Sequence, residues 1–124
     1  MLYTASVSAL KKQKTKMSVY YLEEKYGNGV VAPDQKDLEL YRDKILTRKG
    51  LILNYLAKLM GSAAEEWMRH VSEEAASKDV VIVDHEKNAE DSFRKFLAEM
   101  MVSMFSSYLK FCYAGELTED SKSR

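Results

Sequence analysis

The segment Phe93–Cys112, FRKFLAEMMVSMFSSYLKFC, limits the fold more than any other part of the chain. Phe93, Leu97, Met100, Met104, Tyr108 and Phe111 recur at steps of three and four, and Leu97, Met101, Phe105, Leu109 and Cys112 form a second line beside them. Two adjacent lines make an apolar face wider than a coiled-coil seam. The spacing predicts one long helix, started near Asn88 or Asp91 and stopped by Gly115, with the rest of the chain packed around it. A helix apolar over most of its circumference is covered by several neighbours, or by neighbours plus a second chain. The uncharged run Met100–Leu109 is about half of the roughly 20 residues that a membrane-spanning helix needs, so no membrane partner is expected.

Upstream, the pattern is helical with a small β contribution. Asp34 and Asp37 mark a helix start after Pro33, and Leu38, Tyr41, Ile45, Ile52, Leu56 and Leu59 keep helical period over 35–60. Gly50 makes this either one helix or two hinged at that glycine. Ser62-Ala63-Ala64-Glu65 reads as a capping box opening a helix to Ser77. Val80–Val83 is a β-branched run and reads as a buried strand. In 18–32, Val19–Leu22 and Val30-Val31 flank Asn28-Gly29, a hairpin signal, although Val19, Leu22 and Tyr26 also fit a helix stopped by Gly27. The expected fold class is mainly α, with three to four helices and a small β element (hairpin 18–32 plus strand 80–83), a helix-rich α+β domain; the alternative is an all-α bundle. The expected organisation is a flexible basic arm over 1–16, a single globular domain over 17–115 and a disordered tail over 116–124.

Charge selects no partner. Nineteen basic and nineteen acidic residues cancel, whereas a dedicated nucleic-acid binder carries a basic excess. The single cysteine, Cys112, excludes an intramolecular disulfide and a Cys-based zinc site, and reads as a small buried hydrophobe of a reducing, cytoplasmic setting.

Three groups of residues carry chemistry. Asp84-His85-Glu86 follows the strand Val80–Val83, at the strand end where α/β sites gather, and these residue types bind divalent metals or move protons. Three consecutive residues do not converge on one atom from a regular strand, so they rank as weak metal candidates. Glu66, His70 and Glu74 share a helix face, but no Glu-x-x-His unit accompanies them, and a charge ladder explains them. Lys11, Lys12, Lys14 and Lys16 with Tyr20 and Tyr21 form the one basic and aromatic patch, suited to a nucleic-acid backbone, although Glu23 and Glu24 follow at once.

No catalytic set, cofactor motif or resident metal site emerges. The leading expectation is a protein-interaction module without enzymatic activity: a self-associating regulator, adaptor or inhibitor, forming a homodimer or binding another protein. Met101, Met104, Phe105, Tyr108 and Leu109 are its expected contact residues. The alternatives are a small nucleic-acid or nucleotide binder and a metal-dependent hydrolase at Asp84, His85 and Glu86.

Overall fold

Val80–Asp84 forms the strand β3, and its four residues Val80, Val81, Ile82 and Val83 are fully buried. A continuous β-branched run without alternation belongs in a parallel sheet covered on both faces. The computed structural model, which describes residues 1–12 and 16–118, shows that sheet. It has four strands, β1 (Leu2–Ser6), β2 (Ser18–Tyr21), β3 and β4 (Tyr113–Leu117), in the order β2-β3-β1-β4, and every pairing is parallel. The chain is therefore a mixed α/β protein, which overturns both the helix-rich α+β expectation and the all-α alternative.

The connections explain which helices lie where. The step from β1 to β2 runs in one direction along the sheet, and the steps β2 to β3 and β3 to β4 run in the other. Right-handed crossovers then place their helices on opposite faces. The helix α1 (Val7–Lys11) covers one face, where Leu10 packs with Ala5, Val81, Val83 and Leu117. The helices α3 (Arg48–Leu59), α4 (Ser62–Ser77) and α5 (Phe93–Leu109) lie on the other. There Leu51, Leu59, Met68, Val71, Leu97 and Met101 close over Leu2, Val80 and Ile82. The helix α2 (Gln35–Arg42) packs outside this layer against α3 and buries no residue of its own.

Several local expectations change. Leu2–Ser6 was assigned to a flexible arm, yet it is an inner strand, paired with β3 from Leu2↔Val80 to Ser6↔Asp84 and with β4 on its other side. Its small and polar residues hide a strand pattern: Thr4 is fully buried because its hydroxyl is bonded to that of Tyr113. The hairpin over 18–32 does not form. Ser18–Tyr21 pairs in parallel with Val80–Val83, and Val30-Val31 belongs to a 3-10 turn, Gly29–Val31. Asn28 is buried, donating to the carbonyl of Tyr21 (2.7 Å) and accepting from Trp67 Nε1 (3.0 Å), so it anchors a loop instead of turning a hairpin.

The segment 35–60 is two helices, and the break falls at 43–47, not at Gly50. Lys44 takes φ 61, and Thr47 caps α3 by accepting from the Gly50 N–H at 3.0 Å. Gly61, not Ser62, is the cap residue of α4, so the apparent capping box makes no side-chain cap. Ser92 caps α5, which ends at Lys110 with φ 56. The chain then returns as β4, so Glu116 and Leu117 belong to the sheet and not to a tail, while 119–124 lie outside the described residues. No helix among the described residues is long and apolar enough to cross a membrane.

The organising role of α5 puts its two apolar lines to different uses. Met101 and Phe105 point into the chain's own core, Met104 and Leu109 are half-buried, and Tyr108 is 59% exposed. Met101→Ala is expected to lower unfolding free energy by about 2–5 kcal/mol, as buried methionine truncations do. Tyr108→Ala is expected to stay within about 0.5 kcal/mol. Urea denaturation of the two variants measures both, and equal effects would contradict the assignment of faces.

Candidate functional site at the carboxyl edge of the sheet

The carboxyl ends of the strands are held by a buried arginine. Arg94, in the first turn of α5, is fully buried. Its Nε donates to Glu116 Oε1 at 2.9 Å and its Nη2 to Glu116 Oε2; its Nη1 donates to Asp84 Oδ1 and to the carbonyl of Glu86. One side chain thus ties β3, β4 and the loop after β3 across the end of β1. Asp84 completes the join with its other oxygen, accepting from the N–H groups of Phe93 (3.1 Å) and Arg94 (3.2 Å), the first of α5. A carboxylate there also meets the positive end of the helix dipole.

Every partner of Asp84 is a donor, which fixes its role as an ionised acceptor. Burial pushes its carboxyl above the ordinary carboxylate range, and the bonds from Arg94 pull it back without cancelling that effect. For Arg94, burial acts to lower the guanidinium, but Glu116 and Asp84 outweigh it and the group is held more firmly charged than usual.

Beside this joint lies an open cleft of about 1190 Å³. Its walls come from the segment after β2 (Leu22, Glu23, Glu24, Lys25), the segment 27–35, α2 (Leu38, Arg42), Lys58 of α3, and the segment after β3 (Asp84, His85, Glu86, Phe93). Ligands of open parallel sheets bind outside the carboxyl ends of the strands, and this cleft is outside β2 and β3. It is next to the point between β3 and β1 where the connections leave toward opposite faces. Inside it Lys58 donates to the carbonyl of Ala32 (2.8 Å) and to Asp34 Oδ1 (2.5 Å), and His85 Nε2 is 2.7 Å from Glu23 Oε1.

The structure separates the residues that the sequence grouped. Asp84, His85 and Glu86 face three different partners: Arg94, Glu23 and the N–H of Asn88 respectively. Among the described residues no group of three or more His, Cys, Asp or Glu side chains is placed to hold a metal ion. Tyr20 and Tyr21 point to opposite faces of β2. Tyr20 donates to Glu74 and meets Trp67 edge-on at 5.5 Å, while Tyr21 stacks on Tyr26 at 4.8 Å. Neither ring is an open platform for a base.

Lys11 and Lys12 end α1 on the sheet face away from α3–α5, Lys16 is exposed ahead of β2, and Lys14 lies outside the described residues. Glu66 and His70 line a shallow groove on α4, and Glu74 turns from them to Tyr20 and Lys78. Cys112 is exposed between α5 and β4. The sequence carries no sign of Glu116 or Lys58, offers Glu23 only as a charge opposing the lysine patch and Asn28 only as a hairpin residue; the one signal for Arg94 is a charge in the first turn of the most apolar helix.

Two measurements test this description. Arg94→Met or Arg94→Ala leaves two carboxylates partly buried without their cation, and unfolding free energy is expected to fall by about 3–5 kcal/mol. Arg94→Lys is expected to rescue only part of the loss, because a single ammonium cannot span both carboxylates. The second concerns alkali. Burial, then the bond to Glu74, pushes the Tyr20 hydroxyl up to about 12. A raised acid stabilises the fold at lower pH, so this contribution is complete below the unfolded tyrosine value of about 10 and is lost as pH rises toward 12. Burial also raises the hydroxyls of Tyr55 and Tyr113, so ultraviolet titration is expected to show several late-ionising tyrosines, with one fewer in Tyr20→Phe.

No protein-family model matches the chain, and no curated protein and no solved structure matches it either.

Proposed function

We propose that the chain is a binding domain for a small, uncharged, polyhydroxylated molecule of the nucleoside class, held in the carboxyl-edge cleft. The observation that carries this reading is the cleft itself: a concave site of about 1190 Å³ with apolar and polar walls, at the end of a parallel sheet where such ligands sit. Leu22, Val30, Pro33, Leu38 and Phe93 offer apolar surface to a flat ring. Glu23, Glu24, Asp34, Asp84 and Glu86 outnumber Lys25, Arg42 and Lys58, which disfavours a polyphosphate. Lys58 is engaged with Asp34, and Asp84 with Arg94, so much of the charge is settled internally. Carboxylate acceptors suit the hydroxyls of a sugar. A reducing cytoplasmic setting, in which Cys112 stays a free thiol, accompanies this reading.

Titration of the isotope-labelled protein with adenosine and uridine tests it by amide chemical shifts. Shifts confined to 22–35, 38–42, 58 and 84–93 are expected, with ATP weaker than adenosine at low salt. No response to any nucleoside at millimolar concentration would refute it.

A second reading keeps self-association. Ile45 (71% exposed), Leu53 (55%) and Met60 (80%) are large apolar side chains facing solvent around α3, and Tyr108 with Met104 and Leu109 adds a smaller area on α5. Light scattering separates the readings. A mass that exceeds 14.2 kDa and falls in Met60→Glu or Leu53→Glu supports self-association through α3. A mass that stays at 14.2 kDa removes it.

A further inference from the structure

We propose that the cleft is catalytic as well as binding, with His85 as a general base that activates water against an ester carried by a molecule of the class proposed above; this rests on that reading of the cleft. The argument begins with the tautomer. His85 Nε2 is 2.7 Å from Glu23 Oε1, and an ionised carboxylate only accepts, so Nε2 carries the proton and Nδ1 holds the free lone pair. A carboxylate behind an imidazole orients the ring and fixes its tautomer, the arrangement that base catalysis uses.

Both halves of the pair are mounted on buried anchors. The loop bearing His85 is fixed at Asp84 and at the carbonyl of Glu86 by Arg94, which is fully buried. The segment bearing Glu23 is fixed by buried Asn28, which donates to the carbonyl of Tyr21 and accepts from Trp67. Two separate polar side chains, each taken out of water, hold the two loops whose residues meet at the cleft. The pair itself meets solvent, with the His85 side chain 70% exposed, so water reaches the ring.

The lining residues set the reaction class. None of the lining residues is Ser, Thr or Cys, the usual partners of a histidine base, so the nucleophile proposed is water and the reaction proposed is hydrolysis. The water oxygen forms a bond to the ester carbonyl carbon while its proton passes to His85 Nδ1. The cations that line the cleft and are available to the resulting oxyanion are Arg42, Lys58 and Lys25, the last lying 3.6 Å from Glu23 Oε2. Collapse breaks the bond to the alcohol oxygen, which takes the proton from the imidazolium, leaving an acid and an alcohol and restoring the neutral ring. Glu23 is a positioning residue.

The test uses the full chain with p-nitrophenyl acetate as probe, and the second histidine of the sequence, exposed His70, as internal control. Hydrolysis above the buffer rate is expected, with His85→Gln losing about tenfold or more and His70→Gln unchanged. Glu23→Gln is expected to lower kcat with KM little changed, because the ring loses the carboxylate that fixes its tautomer and orientation. Thermal melts verify that each variant is folded. A wild-type rate in His85→Gln, or an unchanged kcat in Glu23→Gln, overturns the proposal. Adenosine titration in parallel keeps the two readings apart: cleft shifts with a wild-type rate in His85→Gln remove proton transfer alone, and absent shifts remove the binding reading as well.

Discussion

A guanidinium without solvent contact governs this molecule. Arg94 lies where three strands end, and its hydrogen bonds run to β3, to β4 and to the loop between β3 and α5. Taking such an ion out of water costs several kcal/mol, so it persists only with its donors engaged. The consequence is geometric. The carboxyl edge cannot spread, because separating β4 from β3 would strand the arginine between two acids. The cleft beside it inherits that rigidity at its β3 wall, whereas its outer wall is α2, which buries nothing. One side of the site is therefore fixed by charge and the other is held by a lightly packed helix.

The same joint shows why the sequence was misleading at the centre and informative at the edges. The helix at 93–109 was legible because its apolar spacing is dense, and the strand at Val80–Val83 because four β-branched residues in a row have few other uses. β1 was not legible. LYTAS has one large aliphatic residue, and its buried polar members, Thr4 and Ser6, are satisfied by partners far away or by the following turn: Thr4 by Tyr113, Ser6 by the N–H of Ala9. Composition reads such a segment as a polar arm. Only the register with β3 and β4 reveals it as an inner strand.

The errors around Asn28 and Gly50 have different causes, a distant use for Asn28 and close local packing for Gly50. Asn28-Gly29 carries hairpin chemistry, but Asn28 spends its amide on Tyr21 and Trp67. Gly50 has the composition of a hinge, yet it sits in a helical first turn, where a Cβ would lie 2.8 Å from Leu46 Cδ1. Of the site, the loop after Val83 was legible from its position at a strand end. Its true partners were not, because Glu23, Arg94 and Glu116 come from segments 62, 10 and 22 residues from the residues they bond. Pair chemistry at such separations follows from topology, which the parallel sheet supplies and local pattern does not.

The placement of β1 bears on how the chain reaches this state. Leu2–Ser6 pairs with strands that begin at Val80 and Tyr113, so it finds neither neighbour until distant segments are brought to it. Contacts that distant in sequence slow folding, because long loops must close before any pairing is gained. The helices α3 and α4 are local and can form early, with apolar faces waiting for a sheet. Leu2 and Ala5 thus take their buried places only through partners from two distant segments, unlike the helices, whose backbone bonds are local.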